Sequence, residues 1–454
     1  MKHALLTFIA LLPALPAAET VTSKPSEKPN IVIIFMDDMG YGDIGPFGAT
    51  RQKTPQLDRM AREGVKFTSF YAAPVCSASR AQLLTGCYSA RVSVTGAYSP
   101  GNKNGLHPQE FTIAERLKER GYATMCIGKW HLGDAPEFLP TRQGFDHYFG
   151  IPYSNDMQRK STQTGENVIP LVRDDTVLEL LNDNAQSGIV ERYTAEAVQF
   201  IRDNKAKPFF LYLPHNVVHG PYHPGAAFDG KSGNGRYGDW IEEADWSTGR
   251  ILETLHELEL DQRTLVIFTS DNGPVMSKSA SAGALRGGKR STWEGGIRVP
   301  TLAWWPGKIA PGSVCDAVAG TIDLLPTCVA LAGGSVPAEP LIDGRDISPL
   351  LFGKSKQSPR EAHYYFSGYK LQAIRQGPWK LAITKQKDVT EKGPRLYNLD
   401  AEIGEKTNLA DKHPDIVAKL QALAEKMDAE ITANRRPAGE AANPQTLYPS
   451  GPKQ

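Results

Sequence analysis

Short apolar strands that alternate with amphipathic helices constrain the fold of this chain more than any other feature. Residues 30–35 and 264–270 are runs of β-branched and aromatic side chains, the pattern of strands buried on both faces. Between such runs the apolar residues return at helical spacing, as they do over residues 237–260. This alternation predicts the α/β class, with a large, mostly parallel sheet that carries helices on both faces.

Polar groups directly follow four of the predicted strands. In chain order they are Asp37 with Asp38, Lys129 with His131, His215 with His219, and Asp271 with Asn272. Ligands of open α/β sheets bind outside the carboxyl ends of the strands, so we expect these groups to meet at one site. The alternative, a separate solvated loop for each group, would make four such placements a coincidence.

Asp37 and Asp38 leave a buried strand as adjacent carboxylates, which need either solvent or a cation. Oxygen ligands favour Ca²⁺ or Mg²⁺ at this position, and an exposed acidic loop is the alternative. The four-residue spacing of His215, His219 and His223 suggests zinc on one helix face. Zinc is the weaker hypothesis, because the prolines and the glycine among these histidines exclude a continuous helix.

A short polar segment, residues 74–86, contains Cys76 before an apolar run that stops at Gly86. Ser79 predicts the start of a helix and Gly86 its end. Cys76 would then lie just before a helix N-terminus, which favours an anion, with the cationic Arg80 in the first turns. The residues alone leave open a buried structural cysteine, half of a disulfide, and a thiolate nucleophile.

Composition narrows the class of partner and the compartment. The formal net charge is +1, so neither nucleic acid nor an acidic membrane surface is expected as the main partner. Residues 1–18 have the layout of a secretory signal peptide, with a membrane anchor as the less favoured alternative because the apolar run is short for a bilayer span. No other stretch is long and apolar enough to cross a bilayer. We therefore expect a secreted or periplasmic protein. Its five cysteines are too few for a disulfide scaffold, although four could pair if Cys76 is used in chemistry, with Cys315 and Cys328 nearest in sequence.

The remaining patterns predict the domain organisation. We assign residues 25–360 to the α/β catalytic domain and 361–435 to a C-terminal α+β subdomain, in which short strands precede a helix. We expect residues 436–454 to form a disordered tail. A Gly-rich basic segment, residues 287–300, lacks the spacing of a phosphate-binding P-loop and is better explained as a mobile loop that presents Lys289 to an anion.

The motifs between residue 30 and about residue 419 resemble those of the type I sulfatases, in the alkaline phosphatase superfamily. The matching segments are Cys76-Ser77-Ala78-Ser79-Arg80 and residues 30–40, 128–133, 218–221, 270–273 and 288–298. In that family the cysteine is oxidised after synthesis to formylglycine, whose hydrated aldehyde is the nucleophile. The resemblance implies hydrolysis of a sulfate monoester, either an aryl sulfate or a sulfated carbohydrate, and a formylglycine-generating maturation enzyme as a partner.

The resemblance also implies roles for individual residues. Calcium, or magnesium in its place, would be held by Asp37, Asp38, Asp271, Asn272 and the modified Cys76. Arg80 would orient the hydrated aldehyde, Lys129 and His131 would bind it and the sulfate, Lys289 and His219 would flank the bridging oxygen, and Ser154 would touch the sulfate. Two positions depart from the family pattern. Ala78 stands where many members have Pro, which leaves the maturation enzyme open, and Cys87 stands where an Arg is common.

The chemistry of a sulfate monoester calls for the same residue types. Cations must stabilise the sulfuryl oxygens, a role for the metal, Lys129 and Lys289, and a proton donor is needed at the bridging oxygen, either Lys289 or His219. One hydroxyl of a hydrated aldehyde attacks sulfur, and the other, deprotonated by His131, expels sulfate. The alternatives are a phosphodiesterase or phosphonate hydrolase of the same superfamily, an inactive binder of sulfated glycans, and a Cys-His hydrolase.

Overall fold

The computed structural model describes residues 28–162, 164–384, 389–390, 393–442 and 447; the predicted signal peptide, residues 1–18, lies outside them. The strands are β1 (Asn30–Met36), β2 (Val65–Phe67), β3 (Phe70–Tyr71), β4 (Asn104–Gly105), β5 (Ala123–Ile127), β6 (His147–Gly150), β7 (Arg159–Lys160), β8 (Asn167–Arg173), β9 (Thr176–Leu181), β10 (Phe209–Pro214), β11 (Thr264–Ser270), β12 (Thr301–Trp304), β13 (Ser313–Cys315), β14 (Ala319–Gly320), β15 (His363–Ser367), β16 (Lys370–Gln376), β17 (Trp379–Ala382), β18 (Arg395–Asn398) and β19 (Gly439–Glu440). The α-helices are α1 (Pro55–Glu63), α2 (Cys76–Thr85), α3 (Ile113–Lys118), α4 (Asp183–Gln186), α5 (Ile189–Asp203), α6 (Gly235–Glu257), α7 (Glu294–Ile297), α8 (Leu324–Leu331), α9 (Ser348–Leu351) and α10 (Pro414–Ala433).

The main sheet has the strand order β13-β2-β12-β11-β1-β10-β5-β6-β8-β7, and β9 also pairs with β8. Its centre, from β11 through β1, β10 and β5 to β6, is parallel. The pairs β11-β12 and β6-β8 that flank this centre are antiparallel. A second, fully antiparallel sheet contains β15, β16, β17 and β18 in that order. The predicted α/β class with a small C-terminal antiparallel sheet is confirmed.

Strand β1 lies at the centre of the parallel region because both of its faces are apolar. Alternate side chains of the strand enter two different cores: Ile31, Ile33 and Phe35 on one face, and Val32, Ile34 and Met36 on the other. Each of these six side chains is fully buried. The continuous apolar run in the sequence is therefore explained by a core on each face of the sheet.

Helix α2 begins earlier than predicted. Its first residue is Cys76, preceded by Val75 in extended conformation, so Ser79 lies inside the helix. The Ser79 hydroxyl accepts from the backbone N–H of Ala73 instead of capping the helix. Gly86 ends the helix in the left-handed conformation with φ 69°, as predicted. The consequence is that Cys76 occupies the first turn itself, where N–H groups have no helical partner.

Residues 65–71 form two short strands, β2 and β3, which belong to different sheets. Two other expectations differ from the structure. All five cysteines are unpaired, so the pairing of Cys315 with Cys328 does not occur. Residues 436–442, expected to be a disordered tail, include β19, which pairs with β4. No helix in the described part of the chain combines the length and the apolar character needed to cross a bilayer.

Candidate active site

The carboxyl ends of the central strands bring the predicted polar groups together. Phe35 of β1 is in register with Pro214 of β10, and Met36 with Ser270 of β11, so all three strands end at one level. The backbone N–H of Asp271 donates to Met36 O at 2.9 Å, and that of Asp37 donates to Val217 O at 2.7 Å. Short loops held by these bonds place the side chains that follow β1, β5 and β11 in one buried cluster, together with His219 from the loop after β10.

Hydrogen bonds from amide N–H groups link the acidic residues of this cluster. The backbone N–H of Asp38 donates to Asp271 Oδ1 at 3.1 Å, and Asn272 Nδ2 donates to Asp38 Oδ1 at 2.7 Å. Asp38 has a positive φ of 61°, a conformation that only favourable surroundings maintain in a non-glycine residue. Asp37, Asp271 and Asn272 are fully buried, and Asp38 is nearly so.

Two oxygen atoms of the cluster fit a hard cation. Asp37 Oδ1 and Asn272 Oδ1 are buried and have no hydrogen-bond partner among the described residues, whereas buried polar atoms are nearly always paired. Asp37, Asp38 and His219 also each offer a ligand atom, and these atoms lie within 4.8 Å of one another. Carboxylate and amide oxygens are the donors that Ca²⁺ and Mg²⁺ prefer. Neither His215 nor His223 belongs to such a group in the described residues, which disfavours the zinc hypothesis.

Three buried cations face the three carboxylates. Lys129 donates to Asp37, Lys289 Nζ lies 2.6 Å from Asp38 Oδ1, and Arg80 donates to Asp271 Oδ2 at 2.9 Å. Arg80 also donates to the backbone oxygen of Lys129 at 2.6 Å, which ties helix α2 to the loop after β5. Lys289 reaches the cluster because its backbone N–H donates to Pro274 O at 2.8 Å. The Gly-rich segment thus presents Lys289 to a carboxylate in this structure.

These charges shift one another's pKa values. Burial alone would raise the pKa of Asp37, but Lys129, His219 and the other nearby cations outweigh it and hold that pKa well below its usual range. Burial and the charge of Asp37 raise the pKa of Asp271. Burial would lower the pKa of Lys289, yet the Asp38 carboxylate reverses this and raises it. A cation next to Asp37 and Asp271 would relieve the repulsion between these two carboxylates.

Cys76 lies at the start of α2 with only 2% of its surface exposed. Burial raises the pKa of its thiol, even though the charges of Lys129 and Lys289 act in the opposite direction. A nucleophilic cysteine needs a lowered pKa, because the thiolate is the reactive form. The environment of Cys76 therefore does not favour a thiolate mechanism, although the position faces both lysines.

The two histidines of the site are held in defined orientations. His131 Nε2 lies 2.9 Å from Tyr98 O, and its Nδ1 is buried without a partner. Burial, with Lys129 and Arg80, lowers the pKa of His131 well below its ordinary value, so the ring is neutral and Nδ1 is free to accept a proton. His219 Nδ1 lies 2.9 Å from Gly220 O, which leaves Nε2 on the side of Asp38, at 3.7 Å.

Ser154 lies between two residues of the site. Its hydroxyl accepts from Lys129 Nζ at 3.2 Å and lies 3.2 Å from His219 Nδ1. The structure thus brings the residues implied by the resemblance to the same end of the sheet. His215, which was also expected there, instead lies with Nε2 3.4 Å from Ser247 Oγ of α6. Sequence reasoning missed Asn155, whose Nδ2 donates to the backbone oxygens of His219 at 3.1 Å and Pro221 at 3.0 Å. Its position directly after Ser154 is the one signal that could have pointed to it.

Comparisons with known proteins agree with this arrangement. A family model described as Sulfatase matches residues 29–335, and one described as N-sulphoglucosamine sulphohydrolase, C-terminal, matches residues 287–433. Human arylsulfatase A is 39% identical over 477 residues, which covers 93% of this chain and 92% of the relative. N-acetylgalactosamine-6-sulfatase of Canis lupus familiaris is 38% identical, covering 82% of this chain and 74% of the relative.

Solved structures are similar as well. A sulfatase structure from a study of glycosaminoglycan metabolism by Bacteroides thetaiotaomicron superposes with a TM-score of 0.80 at 32% identity, over 89% of this chain and all of that chain. A sulfatase from Pseudoalteromonas sp. superposes with a TM-score of 0.82 at 27% identity, over 92% of both chains.

Proposed function

This chain belongs to the sulfatase family and is a sulfuric ester hydrolase, and from that premise we propose that it cleaves sulfate monoesters with a formylglycine formed from Cys76 and a bound calcium ion. The observation that carries the proposal is the position of Cys76: a buried residue in the first turn of α2, beside two lysines, whose thiol is poorly suited to react as such. A modified side chain would resolve that conflict.

The residues present fit the cation and the modified side chain. Asp37, Asp38, Asp271 and Asn272 would hold the cation, together with the modified Cys76. When bound, the cation would supply positive charge to the sulfuryl oxygens, and the hydrated formylglycine would supply the attacking hydroxyl. Mg²⁺ has the same preference for oxygen and would use the same residues.

The chain's own residues account for the other steps. Lys129, held between Asp37 and Ser154, would bind a sulfuryl oxygen. Arg80 is fixed by Asp271 and would orient the side chain at position 76. His131 Nδ1, which has no protein partner, would accept the proton of the second hydroxyl. Lys289 and His219 would lie at the bridging oxygen. The raised pKa of Lys289 keeps its ammonium protonated, whereas the lowered pKa of His219 favours a neutral ring, so Lys289 is the group that carries a proton to donate.

The substrate and the location are proposed at the level that the chain supports. The relatives include an arylsulfatase and a sulfatase of an aminosugar, so we propose an aryl sulfate or a sulfated carbohydrate. We propose a catalytic domain to residue 360 and a subdomain over residues 361–435. The proposal is supported by the second sheet, which begins with β15 at His363, and by α10, which ends at Ala433. A signal peptide at residues 1–18 would direct the protein to the periplasm or outside the cell. A formylglycine-generating maturation enzyme would be its partner.

Peptide mass spectrometry of the active protein tests the central proposal. The peptide that contains Cys76 should carry an aldehyde or its hydrate, and activity should follow the modified fraction across preparations. Cys76→Ala is the control without a nucleophile and should be inactive. Full activity of a preparation with an unmodified thiol would contradict the mechanism. Release of sulfate rather than phosphate from a matched pair of esters distinguishes a sulfatase from a phosphodiesterase.

A further inference from the structure

A cavity of about 480 Å³ lies away from the catalytic cluster, between the segment that joins β2 to β3 and the C-terminal sheet. None of the residues proposed for catalysis lines it. Its lining includes Arg298, Arg360, Arg375 and His363, four side chains to which the proposed function gives no role. The volume lies in the range of small-molecule sites.

The three arginines at this cavity are buried. Arg298 is 5% exposed and Arg375 4%, and the side chain of Arg360 is 5% exposed. Arg298 pairs with Glu294 at 3.3 Å, and Arg360 pairs with Asp323. Arg375 instead donates to neutral oxygens: Gly377 O at 2.9 Å, Ser69 Oγ at 3.3 Å and Tyr71 Oη.

Within the described part of the chain, Arg375 forms no ion pair with a carboxylate. The nearest candidate, Glu294, is already shared by Arg298 and by Lys380, which lies 3.0 Å from it and 2.7 Å from Glu405. The buried cluster therefore contains four cations, Arg298, Arg360, Arg375 and Lys380, but three carboxylates, Glu294, Asp323 and Glu405. Arg375 is linked to Glu294 only through the Tyr71 hydroxyl, which donates to that carboxylate. Because Glu294 is shared with Arg298 and Lys380, this buried cluster is short of one negative charge.

Two residues that line the cavity also contain a buried polar atom without a hydrogen-bond partner among the described residues. His363 is 3% exposed, and its Nδ1 has no partner. Arg360 Nε is also buried without a partner. The ring of His363 is stacked on Tyr71 at 4.6 Å, so its orientation is set by packing. Buried donors and acceptors of this kind normally have a partner, either in the protein or in a bound species.

We propose that this cavity binds a small oxyanion, with inorganic sulfate, the product of the reaction, as the occupant that turnover supplies. Guanidinium groups match oxyanions because their N–H groups form a planar fork, and the hydrogen bonds are strengthened by charge. The anion would sit against Arg375, where the counter-charge is missing. Lys356 lies at the exposed rim with the acidic Asp316, Glu361 and Asp400, which solvent screens.

Sulfate binding to a protein with a weakened active site tests this assignment. In a Lys289→Ala background, titration calorimetry and thermal melting should show saturable binding of sulfate that sodium chloride of equal ionic strength does not reproduce. Arg375→Gln should weaken the affinity about tenfold or more, the usual size of one charged hydrogen bond. The readout is binding, so it stands or falls separately from the proposed catalysis.

A surface pair of variants covers the case in which Arg375→Gln does not fold. Lys356→Glu replaces an exposed cation at the rim of the cavity and should weaken sulfate binding several-fold. Lys354→Glu makes the same charge change at an exposed lysine that does not line the cavity, and should leave the affinity unchanged. Equal affinities in Lys356→Glu and Lys354→Glu, or no saturable sulfate binding in the Lys289→Ala background, would overturn the proposal.

Discussion

At the scale of single residues, the site combines groups whose charges are nearly balanced and whose orientations are fixed by backbone contacts. Lys289 and His219 both approach Asp38, Lys289 at 2.6 Å and His219 at 3.7 Å, while Lys129 approaches Asp37. Under the proposed mechanism, Lys129 would bind sulfate, and Lys289 and His219 would lie at the leaving oxygen.

Removal of the proton donor should cost more when the leaving group is poor. A phenolate leaves without help, whereas a sugar alkoxide must be protonated as the S–O bond breaks. We expect Lys289→Ala to lower kcat/KM on a sugar sulfate by about 10²–10⁴ and on an activated aryl sulfate by visibly less. His219→Ala, measured on the same two substrates, should show the same direction. Lys278→Ala, at an exposed lysine, is the control. Equal losses on both substrates would mean that these residues only bind sulfate.

Removal of a cation ligand should affect turnover more than folding. In Asp37→Ala, a carboxylate whose Oδ1 has no protein partner is lost, and Lys129 and Arg80 are left without its charge. Elemental analysis should find about one Ca²⁺ or Mg²⁺ per wild-type chain and much less in the variant. Activity should vanish while the melting transition persists. Stoichiometric zinc, or wild-type rates after this substitution, would refute the assignment.

At the scale of elements, α6 anchors the loops around the site through buried carboxylates. Asp239 accepts from the backbone N–H groups of Gly230 and Ser232, and Glu243 accepts from that of Gly225 at 2.8 Å. Asp245 accepts from the first turn of α1. The helix therefore stabilises the segment that follows His219 by accepting hydrogen bonds from its backbone N–H groups.

Glu243 makes stability depend on pH. Burial raises its pKa from 4.5 to about 8, so the native state binds a proton that the unfolded state releases. Its contribution is therefore fully present below pH 4.5 and is lost as the pH rises to about 8, by at most about 1.4 kcal/mol per pH unit. In Glu243→Gln, whose side chain is always neutral, the free energy of unfolding measured with urea should fall less between pH 5 and 8 than in the wild type. Glu242→Gln, at the preceding residue of α6, should show the wild-type decline. Parallel pH profiles for wild type and Glu243→Gln would contradict the assignment.

At the scale of the whole molecule, buried ion pairs join the C-terminal elements to the main sheet. Arg91, which follows α2, is 1% exposed and lies 2.6 Å from both Asp343 Oδ1 and Glu430 Oε2 of α10. Arg436 donates to both oxygens of Glu110 and lies 3.2 Å from Cys87 Sγ. A guanidinium therefore lies beside position 87, although the residue there is not itself an arginine.

Loss of the Arg91 contacts should destabilise the whole chain. Arg91→Ala leaves the nearly buried Asp343 without its partner, so the free energy of unfolding should fall by about 3–5 kcal/mol. Arg116→Ala removes an i,i+3 pair with the exposed Glu119 and should cost at most about 1 kcal/mol. Urea unfolding of the two variants makes the comparison. Similar losses in both would mean that the Arg91 cluster does not join the two parts of the chain.

The sequence by itself determined the features that depend on neighbours along the chain. Strands such as β1 and β11 were predictable because a strand buried on both faces must be apolar throughout, and Asp37 and Asp271 could be placed because a polar residue after such a strand emerges at its carboxyl end. The capping box of Thr112 and Glu115 at the start of α3 depends in the same way on residues three positions apart.

The tertiary structure decided the features that depend on partners far away in sequence. Ser79 does not cap α2, because the chain before the helix folds back and the backbone N–H of Ala73 donates to the Ser79 hydroxyl. The chain after α10 is attached to the main domain because Arg436 Nε donates to Glu110 Oε1, 326 residues away. Asn155 Nδ2 donates to the backbone oxygen of His219, 64 residues away. Arg375 of the C-terminal sheet donates to Ser69 Oγ, 306 residues away, and has no carboxylate partner among the described residues. Local patterns carry no information about such contacts, because the energy that selects them arises only when the chain is packed.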